Sequence, residues 1–168
     1  MTPSRPVVRF AEAADLPWLQ AIEDSGEALL ATLMDTSHWG PSRSGEQRAE
    51  EPGFILVSGA PPVGYAHVLD LDGHFHLEQL DVMAGHRRRG IGGALVRAVC
   101  REAASRGARE VTLTTFADVP WNAPFYARLG FVPVAEPLPP LLRLVRDREI
   151  EAGIDQGGSR LAMVRTLP

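Results

Sequence analysis

Apolar residues form short runs in some parts of this chain and a helical stripe in another. Two apolar runs separated by Gly59-Ala-Pro-Pro62 predict a hairpin, and Asp72-Gly73 predicts a second turn. From Gly90 the spacing becomes helical, with a stripe that includes Leu95 and Val99. The predicted strands are Val7–Phe10, Phe54–Ser58, Val63–Leu71, His74–Val82, Glu110–Phe116, Phe131–Val134 and Arg160–Leu167, and the predicted helices span residues 15–23, 24–33, 90–106, 121–129 and 140–152.

The order of these elements predicts a fold class. Hairpins come early and a strand–helix–strand unit lies in the middle, which indicates an α+β domain of mixed α/β type. A chain of 168 residues has the size of one ordinary domain. We expect Asp15 to cap the first helix, with Pro17 in its first turn. Residues 37–52, rich in Gly, Ser, Pro and charge, predict a mobile loop.

Composition removes several function classes. Cys100 is the only cysteine, so intramolecular disulfides and zinc sites built from cysteines are excluded, and we expect it to be a small buried residue. All 17 basic residues are Arg, which excludes P-loop and Schiff-base chemistry and suggests a GC-rich bacterial genome. The net charge of −4 gives no general attraction to nucleic acid. Since residues 1–6 lack the apolar core of a secretory signal, we expect a cytoplasmic protein.

A basic, glycine-rich turn joins the fourth predicted strand to the helix that begins near Gly90. Its sequence is Arg87-Arg-Arg-Gly-Ile-Gly-Gly93. Free N–H groups at a helix start, the positive end of the helix dipole and nearby guanidinium groups together suit a pyrophosphate. A dinucleotide-binding fold would need Gly where Leu95 stands. A tight turn with solvated arginines is the structural alternative.

Two segments resemble one known family. Residues 87–92 have the pattern Arg-x-x-Gly-x-Gly between a strand and an amphipathic helix, which resembles the acetyl-CoA signature of the GNAT superfamily of N-acetyltransferases. Residues 122–131, Asn-Ala-Pro-Phe-Tyr-Ala-Arg-Leu-Gly-Phe, are similar to a second segment of that family. The resemblance implies a single N-acetyltransferase domain over residues 1–168. It also implies a mostly antiparallel sheet, splayed between the parallel strands His74–Val82 and Glu110–Phe116 and flanked by helices.

The same resemblance implies acetyl-CoA as cosubstrate, with its pantetheine arm between the splayed strands. The N–H of Val82 would polarise the thioester carbonyl, and Tyr126 would protonate the leaving thiolate. The alternative for Tyr126 is packing against the turn at residues 129–131. The implied cofactor-binding residues are Leu80, Asp81, Val82, Arg87, Arg88, Arg89, Gly90, Ile91, Gly92, Gly93, Ala94, Asn122, Phe125 and Tyr126.

Three candidates remain for the base that deprotonates the acceptor, namely His76, Glu78 and water. The position of the best-known family carboxylate holds His76, and Glu78 is two residues nearer the signature. Strand alternation predicts that His76, Glu78, Leu80 and Val82 share one face. An ordinary half-exposed strand face is the alternative to catalysis. His74 and His76 form a His-x-His pair, but no third ligand is identifiable, so no metal is expected.

The expected acceptor is a small-molecule or peptide amine, with no nucleic-acid or membrane partner, and we allow for a homodimer. By resemblance, the acceptor side lies between the first two helices and the segment before the last strand. A non-catalytic acyl-CoA-binding regulatory module and a nucleic-acid-binding domain using residues 86–89 are the competing hypotheses. The candidate acceptor-side residues are Glu23, Asp24, Glu27, Asp35, Trp39 and residues 143–156.

Overall fold

The computed structural model describes residues 6–168, so most of the segment on which the expectation of no secretory signal rests lies outside it. A seven-stranded sheet has the order β1-β2-β3-β4-β5-β7-β6. The strands are β1 (Val8–Phe10), β2 (Gly53–Gly59), β3 (Pro62–Leu71), β4 (His74–Val82), β5 (Glu110–Phe116), β6 (Val132–Pro133) and β7 (Arg160–Thr166). The helices are α1 (Leu16–Leu30), α2 (Gly45–Ala49), α3 (Ile91–Ser105), α4 (Ala123–Arg128) and α5 (Pro140–Glu151).

One strand pair gives the sheet its shape. Strands β4 and β5 run parallel and pair only at Phe75↔Val111, His76↔Thr112 and Leu77↔Leu113, while the other neighbouring strands are antiparallel. Beyond Leu77 the two strands separate. The predicted fold class, a mostly antiparallel sheet splayed between two parallel strands, is therefore confirmed.

The core lies on both faces of the sheet. On one face α3 packs against the central strands through residues such as Leu95 and Val99, and Cys100 is buried in this layer as predicted. On the other face Leu19 and Ile22 of α1 join a smaller cluster with strands β2 and β3. Burial of each such aliphatic side chain stabilises the fold by about 1.5–3 kcal/mol. Within residues 6–168, no helix is long and apolar enough to cross a membrane.

Two predictions about the N-terminal third are wrong. Residues 16–30 form one helix, not two, whose face with Leu19 and Ile22 is buried against the sheet and whose interior includes Gly26. The predicted loop at residues 37–52 contains α2, whose start is fixed by a capping box between Ser44 and Gln47. This short helix is anchored because the guanidinium group of Arg48 is buried beneath it.

Asp15 precedes α1 as predicted, and Pro17 lies in its first turn, but the carboxylate does not cap the helix. It accepts hydrogen bonds from the guanidinium group of Arg9, at 2.5 and 2.9 Å, and from the N–H of Glu12 at 2.8 Å. Asp15 therefore joins β1 to the chain entering α1.

A β-bulge in β4 changes which side chains face the same way. His67 pairs with Gln79, whereas the next residue of β3 pairs with Leu77, so Glu78 has no partner across the strand pair. The extra residue reverses the alternation. Leu80 and Val82 consequently pack toward α3, whereas His76 lies on the opposite face, and the prediction that these residues share one face is wrong.

Candidate active site

An open cleft of about 1330 Å³ begins where β4 and β5 separate. Its walls come from α1, the second half of β4, the turn before α3, α4 and the last part of the chain. Most of the predicted site residues line this cleft; of them, His76, Arg89 and Ala94 do not.

The backbone of β4 presents unpaired groups to the cleft. The N–H of Met83 donates to the carbonyl oxygen of Val63 in β3 at 2.8 Å. Successive peptide groups of a strand point to opposite sides, so the N–H groups of Val82 and Leu80 point away from β3 and into the gap before β5. An extended ligand in the gap can pair with them as an added strand would.

The glycine-rich turn ends at the start of α3. Gly90 precedes the helix with φ 79°, in the left-handed region, and Arg88 before it has φ 61°. The N–H of Ala94 already donates to the carbonyl oxygen of Gly90, so the free donors at this helix start are those of residues 91–93. Since Arg88 and Arg89 are exposed beside them, the turn has the donors and the charge of an anion site.

Arg87 has a different role from its neighbours. Its Nε donates to the carbonyl oxygen of Val82 at 3.0 Å, and its Nη2 donates to that of Ser25 at 2.7 Å. The hydroxyl of Ser25 also accepts the N–H of Ala84 at 3.0 Å. The guanidinium group therefore fixes the turn to β4 and α1.

Helix α4 supplies one wall of the cleft. The Asn122 carbonyl oxygen accepts the N–H of Tyr126 at 3.1 Å, while its side chain forms no capping hydrogen bond and remains available to a ligand. The Tyr126 ring lies edge-to-face with Phe125 and Phe131, with centroids 5.0 and 5.8 Å apart. Burial, reinforced by the nearby Asp81, raises the pKa of Tyr126 and keeps its hydroxyl protonated at neutral pH.

The two predicted bases differ in their surroundings. The side chain of His76 is 1% exposed, its Nδ1 lies 2.9 Å from Thr112 Oγ1, and burial lowers its pKa to about 4. Glu78, the bulge residue, lines the cleft with its side chain 33% exposed. Desolvation, with a further contribution from Glu149, raises the pKa of Glu78.

The side chain of Asp81 is a functional candidate that the sequence analysis missed, because Asp81 was expected only among the cofactor-binding residues. Its carboxylate accepts a hydrogen bond from Gln79 Nε2 at 2.5 Å and lies against the backbone of Gly26 in α1. Burial raises the pKa of Asp81 to about 7. A glycine inside a helix was the only signal for this contact, and it does not reveal its partner.

Carboxylates and an aromatic pair lie on the acceptor side predicted by resemblance. Of the four acidic residues proposed there, Glu23 and Glu27 line the cleft, whereas Asp24 and Asp35 do not. Glu23 accepts from Arg48 Nη2 at 2.5 Å and from the hydroxyl of Tyr65 at 3.1 Å. Only part of its charge is therefore available to a ligand.

The aromatic pair is Trp39 and Phe116. Their rings stack with centroids 5.8 Å apart and an interplanar angle of 7°, and the guanidinium group of Arg160 lies 4.5 Å from the centroid of Phe116. Glu149 of α5 accepts from Arg160 at 2.8 Å. These contacts attach the segment before β7 to the cleft.

Among residues 6–168, no group of three His, Cys, Asp or Glu side chains is close enough to hold a metal ion. His74 is exposed, while the Nδ1 atom of its neighbour in the His-x-His pair is engaged with Thr112. The polar groups of the cleft include carboxylates, arginines, backbone donors and a tyrosine.

Sequence comparison decides the family. The model of the Acetyltransferase (GNAT) family matches residues 12–131, which is more than half of the chain. The chain belongs to this family. It is also 30% identical over 91 residues to the Bacillus subtilis (strain 168) protein named Uncharacterized N-acetyltransferase YjcF, a match that spans 54% of this chain and 63% of that protein's length.

Solved structures agree with the fold. An acetyltransferase of the GNAT family from Staphylococcus aureus Mu50 has a TM-score of 0.71 at 16% identity, covering 98% of this chain and 100% of its own. Rv2747 from Mycobacterium tuberculosis, solved in complex with CoA, has a TM-score of 0.67 at 19% identity, covering 97% of this chain and 100% of its own. The PaiA N-acetyltransferase from Thermoplasma acidophilum, also with CoA, has a TM-score of 0.68 at 14% identity, covering 96% and 99%.

Proposed function

We propose that this chain is an N-acetyltransferase that moves the acetyl group of acetyl-CoA to a primary amine by direct attack. The observation that carries the proposal is the gap between β4 and β5, with free backbone donors along one edge and the glycine-rich start of α3 at its mouth. Both ends of the chain contribute to the cleft, through α1 and Arg160, which supports one domain over residues 1–168.

The cosubstrate fits this cleft by its chemistry. The pyrophosphate of acetyl-CoA suits the free N–H groups of residues 91–93 and the arginines beside them, with Asn122 and Phe125 near the arm. Gly92 keeps this passage open, because a Cβ there would lie 3.3 Å from Phe125 Cζ. The pantetheine arm would then pair with the N–H groups of Leu80 and Val82.

The reaction needs a donor to the thioester oxygen and an acid for the sulfur. Val82 is our choice of oxyanion donor, and the N–H of Leu80, which points in the same direction, is the alternative. Tyr126 is the acid, since the residue lines the cleft and its hydroxyl stays protonated at neutral pH. The packing of its ring against Phe131 supports this role, because it fixes the direction of the hydroxyl.

The acceptor is a small-molecule or peptide amine in its cationic form. Glu27 and Glu78 bring negative charge to the cleft, and the half-buried indole of Trp39, held by stacking on the buried Phe116, provides an aromatic surface for a cation. These groups select for positive charge, and they leave a range of amines acceptable.

The test combines binding with turnover. Thermal unfolding is measured with acetyl-CoA, NAD and ATP at equal concentrations, and thiol release is then followed with acetyl-CoA and a panel of small amines and peptide N-termini. We expect acetyl-CoA to raise Tm most and at least one amine to accelerate thiol release. Binding without acceleration by any amine would instead support an acyl-CoA-binding regulatory module, and equal Tm shifts would count against the cofactor assignment.

A further inference from the structure

The side-chain carboxylate of Asp81 has no role in the reaction proposed for Val82 and Tyr126. Asp81 lies between Leu80 and Val82, the two residues whose N–H groups point into the gap. The β-bulge directs its side chain to the opposite face of the sheet, toward α1 and the acceptor side. A nucleophile arriving from the acceptor side would therefore meet the thioester and the Asp81 carboxylate together.

We propose that Asp81 accepts the proton that the acceptor amine loses during acetyl transfer. This inference rests on the proposed N-acetyltransferase function. An ammonium acceptor loses two protons on becoming an amide. One passes to the Asp81 carboxylate and then to water, while nitrogen forms its bond to the carbonyl carbon. The C–S bond breaks, and Tyr126 gives its hydroxyl proton to the departing sulfur. The second proton that nitrogen loses then restores the hydroxyl of Tyr126.

Helix α1 accommodates this carboxylate at the expense of its own stability. A Cβ at residue 26 would lie 1.9 Å from Asp81 Oδ1 and 2.7 Å from its Cγ, so only glycine permits the contact. Glycine in a helix interior is less favourable than alanine by about 1 kcal/mol. The contact with Gly26 on one side and the hydrogen bond from Gln79 on the other fix the direction of the carboxylate.

The charges around Asp81 suit a proton acceptor. Glu23 of α1 disfavours its ionised form, whereas Arg87 of the turn and Arg48 of α2 favour it, and Tyr65 and Tyr126 are its neutral neighbours. Burial outweighs the favourable contacts and raises the pKa of Asp81 to about 7, so both protonation states are populated near neutrality. A group of this kind can accept a proton and release it again at each turnover.

The two bases expected from sequence are placed less well. His76 is enclosed and does not line the cleft, and burial lowers its pKa to about 4. Glu78 opens to the cleft but lies four residues before Val82, a separation of up to about 13 Å along an extended strand. Asp81 is adjacent to either oxyanion donor.

The test compares Asp81→Asn with Glu78→Gln, and uses Asp147→Asn on the exposed face of α5 as the matched control. With an amine that the wild type acetylates, we expect Asp81→Asn to lower kcat by about 100-fold or more while the Tm shift with acetyl-CoA is retained. Wild-type kcat/KM should rise with pH through about 7, and that rise should be lost in Asp81→Asn and kept in the control.

Gly26→Ala provides a second variant that leaves Asp81 in place. The new methyl group displaces the carboxylate, so kcat should fall although the helix itself gains propensity. If Asp81→Asn retains wild-type kcat while Glu78→Gln loses it, the inference is overturned and the proposed function stands. If Asp81→Asn does not fold, a wild-type rate in Gly26→Ala overturns the inference. If the wild type acetylates no amine of the panel, the proposed function fails and the inference fails with it.

Discussion

The guanidinium group of Arg87 donates to the carbonyl oxygen of Ser25 at 2.7 Å, which joins the glycine-rich turn to helix α1. A second bond from the same group reaches the carbonyl oxygen of Val82 at 3.0 Å. Arg87 therefore connects two walls of the cleft, and we expect it to affect cofactor binding through the backbone that it positions.

Replacement of Arg87 by alanine should reduce both stability and cofactor affinity. Hydrogen bonds from charged donors contribute about 1.5–3 kcal/mol, so we expect the free energy of unfolding to fall by about 2 kcal/mol. Denaturant unfolding and titration with acetyl-CoA measure the two effects. Arg89→Ala is the control, because Arg89 is exposed, and it should leave stability unchanged. A loss of affinity at unaltered stability in Arg87→Ala would instead indicate direct contact with the phosphates.

The parts of the site predicted from sequence are those fixed by local backbone demands. The turn before α3 needs a left-handed backbone conformation at residue 90. This conformation favours glycine, so the turn can be recognised in the sequence. The parallel strand pair and the segment that becomes α4 followed from the resemblance. Pro140 and Gly153 likewise indicated the ends of α5.

The remaining features depend on contacts between distant residues. The bulge at Glu78 is a shift in the register between β3 and β4. The alternating pattern of β4 alone cannot reveal a register shift. The ion pair of the buried Arg48 with Glu23 joins α1 to α2, a short helix within a segment of loop composition. The bulge sets the face to which Asp81 points, so the role of its carboxylate could not follow from the sequence.

Gly92→Asp should abolish acetyl-CoA binding and preserve the fold. The new side chain brings a negative charge beside the phosphate site, and its Cβ would lie 3.3 Å from Phe125 Cζ. Gly92→Ala is the matched control, since it adds the Cβ without charge and should weaken binding less. The Tm shift with acetyl-CoA measures both variants, and an unchanged shift in Gly92→Asp would show that the turn is only structural.

Tyr126→Phe should lower kcat and leave acetyl-CoA affinity intact. The substitution keeps the ring contacts with Phe125 and Phe131 and removes only the hydroxyl. Loss of a general acid lowers kcat by about 10²–10⁴-fold. Steady-state kinetics and the Tm shift with acetyl-CoA separate the two effects. An unaltered kcat would assign Tyr126 to packing alone.

Trp39→Ala should raise KM for the acceptor more than it lowers kcat. Trp39 stacks on Phe116 and lies outside the glycine-rich turn and α4, to which we assign the cofactor, so acetyl-CoA affinity should be unaffected. Trp39→Phe retains a flat ring and should recover much of the loss. Equal KM values for wild type and Trp39→Ala, measured with a cationic amine, would remove this residue from the acceptor surface.

His76 should make the protein less stable at acidic pH. Burial lowers its folded pKa to about 4 from the ordinary value of 6.5, so between these values the unfolded chain binds more protons than the folded one. Its contribution is therefore complete above pH 6.5 and is lost as the pH falls toward 4, by up to about 1.4 kcal/mol per pH unit. Asp81 and Glu78, whose pKa values are raised, act with the opposite sign.

The contribution of His76 can be isolated by comparing unfolding free energies of wild type and His76→Gln from pH 7.5 to pH 5. The carboxylates titrate in both proteins and largely cancel in the difference. The variant loses the bond to Thr112 and should be less stable at pH 7.5, but the two proteins should converge as the pH falls. His74→Gln, at an exposed position, should follow the wild type throughout. A constant difference across the range would mean that His76 has the same pKa in the folded and the unfolded protein, and the enclosed, neutral imidazole would have to be abandoned.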